Sequence, residues 1–198
     1  MRKQPVFLAA AIALSIVVPA CRVATTPPAP AKPQPEVSII PRPLQLEVMT
    51  GSFSPGHGMA ILVESADERA VDVARYLAER LGAAAGGFIP VSTGSQSAGQ
   101  KVIVLAERED TALGTEGYRL NIQSDRVRLE APTPAGLFYG VQTILQLFPA
   151  DGFAGKMTAG SLTLPCLAIQ DSPRFRWRGF MLDVSRHFHP KEYVLKLI

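Results

Sequence analysis

The sequence predicts an α+β domain over residues 37–171, a sheet with two helices packed on one face, followed by a single β-α unit over residues 172–198. Two stretches, 66–81 and 134–148, repeat apolar residues at the spacing of one helix face. Short runs of alternating or continuous apolar residues lie between and around them, and Gly/Pro-rich breaks separate the runs. The composition agrees: 198 residues, 47% hydrophobic and 19% charged, can bury a core, which excludes wholesale disorder.

The elements follow in order. Met1-Arg2-Lys3-Gln4 is a short cationic start, and Pro5 to Pro19 is an uncharged apolar run of signal-peptide length, too short for a membrane span. Residues 1–20 are therefore expected to be an export signal, placing the protein in the cell envelope. Ala20 directly before Cys21 resembles the lipobox of bacterial lipoproteins, which makes Cys21 the expected lipidation site and the membrane a partner through that anchor. Ordinary cleavage after Ala20, giving a secreted or periplasmic protein, is the alternative. Residues 21–36 are Pro/Ala-rich with almost no large apolar side chains and read as a tether.

Val37 to Ile40 reads as a first strand, limited by Pro41 and Pro43 to an edge or entry position, and Leu44, Leu46 and Val48 continue in alternation. Met59 to Val63 is a second strand. Ala66 to Leu81 puts Ala70, Val73, Ala74, Leu77, Ala78 and Leu81 on one helical stripe, ending in Gly82 and a small-residue stretch to Gly87. Gly94 to Gln100 is a loop, Lys101 to Leu105 a buried strand, and Gly117 to Ile122 with Arg126 to Leu129 are two strands around a Gln123-Ser124-Asp125 turn. Thr133 is the expected N-cap of a helix with Pro134 in its first turn, whose Leu137, Val141, Ile144, Leu145 and Phe148 share a face until Pro149. Gly179 to Ser185 then reads as a strand and Pro190 as the start of a helix. Its apolar stripe of Val194, Leu197 and Ile198 is uncapped, so the sequence is expected to be the front of a longer polypeptide.

The run from Ser172 through Arg178-Gly179-Phe180-Met181-Leu182-Asp183-Val184-Ser185-Arg186-His187 to Pro190 resembles the first barrel strand of glycoside hydrolase family 20, the β-N-acetylhexosaminidases. Ile40-Pro41-Arg42-Pro43 and the helix from Ala135 to Leu147 are similar to the accessory α+β domain that precedes the barrel in that family. The resemblance implies that 37–171 is this accessory domain and that 172–198 begins a truncated (β/α)8 TIM barrel, for whose roughly 250 residues there is no room here. It implies hydrolysis of terminal β-linked N-acetylglucosamine or N-acetylgalactosamine in oligosaccharides and glycoconjugates, by a retaining mechanism in which the substrate's acetamido oxygen is the nucleophile. No cofactor and no metal are implied. The Asp-Glu pair of that mechanism corresponds to no stretch of this sequence, so these 198 residues alone are expected to be inactive, with no catalytic residue among them.

What the chain can contribute is Arg186. At a strand end its fork of donors suits either two vicinal sugar hydroxyls or a simple ion pair, and the resemblance assigns it to the substrate's 3- and 4-hydroxyls. Asp183, on the same strand face, is expected to support the site by orienting its neighbours, and Arg178, at the strand start, reads as structural.

Other candidates are weaker. Asp67-Glu68 falls in a first helical turn, where carboxylates favour the dipole, and Glu109-Asp110 in a polar loop. His187 and His189 have an H-x-H spacing without an acidic companion, and His57 sits between glycines. Cys166 reads as a small buried hydrophobe, and no disulfide with Cys21 is expected. Without Arg2 and Lys3 the chain has 18 basic against 17 acidic residues, so it lacks the basic field of a nucleic-acid binder. A reading of another class, a membrane-tethered non-catalytic module that binds glycan or protein, rests on the missing carboxylate pair.

Overall fold

The computed structural model describes residues 37–55, 58–85, 87–94, 101–148 and 163–197. The expected signal (1–20), Cys21, the tether (21–36), His57, the 95–100 part of the loop, Pro149 and Ile198 lie outside the described residues. The elements are β1 (Gln45–Phe53), β2 (Ala60–Glu64), α1 (Glu68–Ala85), β3 (Val91–Thr93), β4 (Val102–Glu107), β5 (Tyr118–Ile122), β6 (Arg126–Ala131), α2 (Pro134–Leu147), β7 (Leu164–Asp171) and α3 (Lys191–Leu197). No helix among the described residues is long and apolar enough to cross a membrane.

The seven strands form one mixed sheet in the order β1-β7-β5-β6-β4-β2-β3. β3, β2, β4 and β6 run parallel, while β5, β7 and β1 add on antiparallel. Strict alternation in β5 and β6 sends Tyr118, Leu120, Ile122, Val127, Leu129 and Ala131 to one face. There they meet Ala70, Ala74, Leu77 and Leu81 of α1 and Leu137, Val141 and Ile144 of α2, all fully buried in one core. The two helices also touch each other, so both cover the same face, as the two stripes predict. The opposite face carries Arg119, Asn121, Arg126, Arg128, Glu130 and Gln170 around a shallow hollow, with Leu62, Val102 and Val104 as a small apolar cluster.

α2 starts as expected: Thr133 is its N-cap, its hydroxyl accepting from the Gly136 N–H at 3.4 Å, and Pro134 opens the first turn. Gly136 and Gly140 allow the helix backbone to lie directly on Gly117 and on the Leu129 side chain. Tyr118 and Thr143, buried between β5 and α2, satisfy each other's hydroxyls at 2.6 Å.

The structure differs from the sequence reading in three places. Val37 to Ile40 is not a strand. Pro41 and Pro43 bring no N–H to a ladder, and the Ile40 N–H instead donates to Gln146 Oε1 of α2 at 2.9 Å. The edge strand begins only at Gln45 and runs to Phe53 across a bulge, where Gly51 takes φ 109°, a conformation that favours glycine. α1 ends within the small-residue stretch from Gly82 to Gly87: Ala83, Ala84 and Ala85 carry it past Gly82, and the Gly87 N–H closes onto the Gly82 carbonyl at 3.1 Å. β3 and β7 have no counterpart in the reading. β7 is hidden by Pro165, which is tolerated because β5 pairs only as far as Leu167 and the bulged β1 lies opposite. Finally, Gly179 to Ser185 is not a strand, because no described strand lies alongside to accept its hydrogen bonds.

Candidate functional site

β7 ends at Asp171, and residues 172–190 follow without helix or strand, the first of them, 172–178, lying beside α2 and the Ile39–Arg42 entry segment. A cavity of about 630 Å³ separates them, lined by Tyr139, Gln142, Gln146, Asp171, Arg174 and Arg178 among others. In its wall the Gln142 Nε2 is buried without a hydrogen-bond partner among the described residues.

Arg178 is the fixed point of this stretch. Its Nη2 donates to Glu116 Oε1 at 2.8 Å and to the Tyr139 hydroxyl at 2.9 Å, and its Nη1 donates to Glu116 Oε2 at 3.2 Å and to the Phe175 carbonyl at 2.6 Å. The guanidinium carbon lies 5.4 Å from the centre of the Tyr139 ring. The hydrogen-bonded guanidinium holds the Glu116 carboxyl below the usual glutamate range, and Glu116 in turn raises the Arg178 pKa. Arg178 thus ties this stretch to the domain through an ion pair and a tyrosine hydroxyl, not by starting a strand. Its partners could not have been read from the sequence, since Glu116 and Tyr139 lie 62 and 39 residues away and carry no motif.

Asp183 and Arg186 sit on a turn rather than at a strand end. Asp183 Oδ1 accepts the Ser185 N–H at 2.9 Å, which bends the chain so that Arg186 Nε returns to Asp183 Oδ2 at 3.5 Å. The Arg186 side chain is 86% exposed, and its two Nη groups have no protein partner among the described residues. The turn therefore presents a fork of N–H donors to solvent, braced on one side by a carboxylate. This suits a pair of adjacent hydroxyl or carboxylate oxygens.

Of the remaining candidates His187 directly follows the turn, while Asp67, Asp110 and Cys166 lie on other elements. His189 stacks on Tyr193 at 4.6 Å where α3 begins, and the Pro190 carbonyl accepts the Tyr193 and Val194 N–H groups. Among the described residues no three His, Cys, Asp or Glu side chains are grouped as a metal site. Asp67 caps the start of α1 by accepting the Arg69 N–H and pairing with the Arg69 guanidinium, which depresses its pKa. Asp110 pairs with Arg119. Cys166 is a buried free thiol whose pKa burial pushes up.

The family model "Glycosyl hydrolase family 20, domain 2" matches residues 36–172, more than half of the chain. The chain belongs to glycosyl hydrolase family 20. The model of that family's catalytic domain matches residues 175–198, the stretch that carries Arg178, Asp183 and Arg186. A β-hexosaminidase of Porphyromonas gingivalis (strain ATCC BAA-308 / W83) is 35% identical over 82% of this chain and 20% of its own length. A β-N-acetylhexosaminidase of Cellulomonas fimi is 35% identical over 78% of this chain and 30% of its own length. The solved GH20 β-N-acetylhexosaminidase from Streptomyces coelicolor A3(2) superposes with a TM-score of 0.68 at 36% identity, covering 78% of this chain and 30% of that one. The chain thus spans between a fifth and a third of the length of these family 20 relatives.

Proposed function

We propose that the chain is the N-terminal part of a β-N-acetylhexosaminidase that removes terminal β-linked N-acetylglucosamine or N-acetylgalactosamine from oligosaccharides and glycoconjugates, chitin fragments among them. The observation that carries this reading is the exposed Arg186 fork, braced by Asp183 and lying inside the stretch that matches the family 20 catalytic domain. The mechanism is retaining and substrate-assisted. The 2-acetamido oxygen attacks the anomeric carbon to form an oxazolinium, an Asp orients it, and the adjacent Glu protonates the leaving oxygen. Neither carboxylate is supplied by residues 1–198. Arg186 holds the 3- and 4-hydroxyls of the terminal sugar, Asp183 sets its orientation, and residues 172–198 become the first β-α unit only when the further strands of a barrel lie alongside. The substrate's own amide supplies the nucleophile, so the chemistry calls for no cofactor. Residues 1–20 direct export, and acylated Cys21 anchors the protein to the envelope membrane through the 21–36 tether.

One experiment tests these assignments together. The reading frame is sequenced beyond the codon for Ile198, and both polypeptides are expressed with their own leader in a bacterial host, fractionated, and assayed on an aryl N-acetylglucosaminide. The extended polypeptide is expected to turn over substrate in the membrane fraction and the 198-residue polypeptide is not. Arg186→Ala is expected to cost about a hundredfold in kcat/KM, the scale of two hydrogen bonds from a charged donor. Cys21→Ala moves the activity to the soluble fraction. A stop codon after Ile198 would replace the hydrolase reading for this chain with that of a tethered binding module, and turnover by the 198-residue polypeptide would overturn its assigned inactivity.

A further inference from the structure

Residues 175–188 leave the α+β domain with their large apolar side chains in solvent: Trp177 is 92% exposed, Met181 88% and Phe188 84%. Packing therefore does not set the path of this stretch. Among the described residues of this stretch only Arg178 hydrogen-bonds back to the domain, and it is held from two independent sides. Glu116 closes the Thr111–Glu116 turn, which is fixed by the Leu113 N–H donating to the Asp110 carbonyl at 3.2 Å, by the Ala112 N–H donating to Asp110 Oδ1 at 3.0 Å, and by the buried Leu113 side chain. Tyr139 belongs to α2, itself seated on the sheet through Gly136 and Gly140. A bidentate guanidinium–carboxylate contact, a shared tyrosine hydroxyl and the ring face beneath specify the position and plane of the Arg178 guanidinium, and its bond to the Phe175 carbonyl closes the loop behind it.

We propose that Arg178, held by Glu116 and Tyr139, is a clamp that fixes where and in which direction residues 179–197 leave the α+β domain, which makes it a positioning residue for Asp183 and Arg186. The clamp is a property of the 198-residue chain itself, and only its service to Arg186 rests on the hydrolase reading. The charged groups around the Glu116 carboxylate are Arg178 and Arg176 from the exiting segment, with the Tyr139 hydroxyl of α2 beside them. Because this carboxyl titrates below its ordinary value of 4.5, chiefly through the Arg178 hydrogen bond, the clamp is closed above that pH and opens as the pH falls below it.

Backbone 15N relaxation of residues 174–181 in the 198-residue chain tests the clamp without requiring any turnover. The wild-type order parameters of these residues are expected to lie near those of rigid backbone, about 0.8, and Glu116→Gln is expected to bring them below about 0.6, while α2 and β5 to β7 keep their wild-type values. Arg178→Lys, which keeps the charge but loses the fork, falls between the two. Exchanging the partners, Glu116→Arg with Arg178→Glu, recovers order that either single change loses. In wild type the order parameters of 174–181 fall as the pH drops below about 4.5, and in Glu116→Gln they are flat over that range. Wild-type order parameters in 174–181 as low as in a free peptide would overturn the proposal. So would an effect of Glu116→Gln spread evenly over the whole domain, which would make Glu116 a fold-stability residue instead.

Discussion

Tyr118 places its ring in the core between β5 and α2 and its hydroxyl 2.6 Å from Thr143 Oγ1. Burial is the main reason its pKa is pushed up to about 12 from an ordinary 10.0; the Thr143 hydrogen bond works slightly against this, and the Asp171 charge adds to it. A folded pKa above the unfolded one means that the neutral phenol contributes stability in full below about pH 10, which is lost as the pH rises toward about 12. Tyr118→Phe is therefore expected to flatten the alkaline limb of the stability curve in that window. At neutral pH it costs about 1 kcal/mol, because Thr143 keeps a buried hydroxyl without its partner. Urea titrations at about pH 8 and about pH 11 measure both effects, and equal losses of stability in variant and wild type over that interval would refute the assignment. At this scale the sequence was legible where chemistry is local. Thr133 as N-cap follows from its neighbours, whereas the Tyr118–Thr143 and Arg178–Glu116 pairings depend on elements that meet only in the fold.

Elements were readable where their apolar period was unbroken. Both helix stripes bury the residues their spacing selected except Val73 and Leu145, which are half-buried, and β5 and β6 alternate. β7 was not, because Pro165 interrupts its pattern and because a proline is usually excluded from a strand with neighbours on both sides. The same close contacts that seat the elements make one substitution informative. A Cβ at Gly140 would collide with the Leu129 side chain, which is fully buried in β6 and has no free space to enter. Gly140→Ala is expected to destabilise the domain by about 1–3 kcal/mol despite the better helix propensity of alanine. Leu129→Ala alone should cost about 2–5 kcal/mol. The double variant should lose clearly less than the sum, by about 1 kcal/mol or more, because each change makes room for the other. Strict additivity in urea midpoints would show that α2 does not rest on β6 through this contact.

On the scale of the whole molecule the chain divides its apolar residues unequally. Most described apolar residues between 39 and 169 lie in a core closed by two helices on one side of seven strands, Ile40 and Phe88 being exceptions, whereas Phe175, Trp177, Phe180, Met181 and Phe188 are all more than 70% exposed and α3 buries none of its residues. The strand expected at 179–185 fails for the same reason: its pattern of apolar residues is a demand for neighbouring strands, and the sheet beside it pairs its own seven strands without including it. Local pattern can announce such an element but cannot supply its partners. The stability of the chain should therefore reside almost entirely in residues 37–171. A polypeptide ending at Asp171 is expected to keep the cooperative thermal transition of the 198-residue chain, with Tm within about 5 °C, since the tail contributes one half-exposed ion-pair cluster and almost no buried area. It should also self-associate less, because the exposed apolar surface is gone, and sedimentation velocity at rising concentration measures this alongside calorimetry. Loss of the transition on removing 172–198 would mean that the tail completes the core, and the fastening at Arg178 would then be an integral part of the domain.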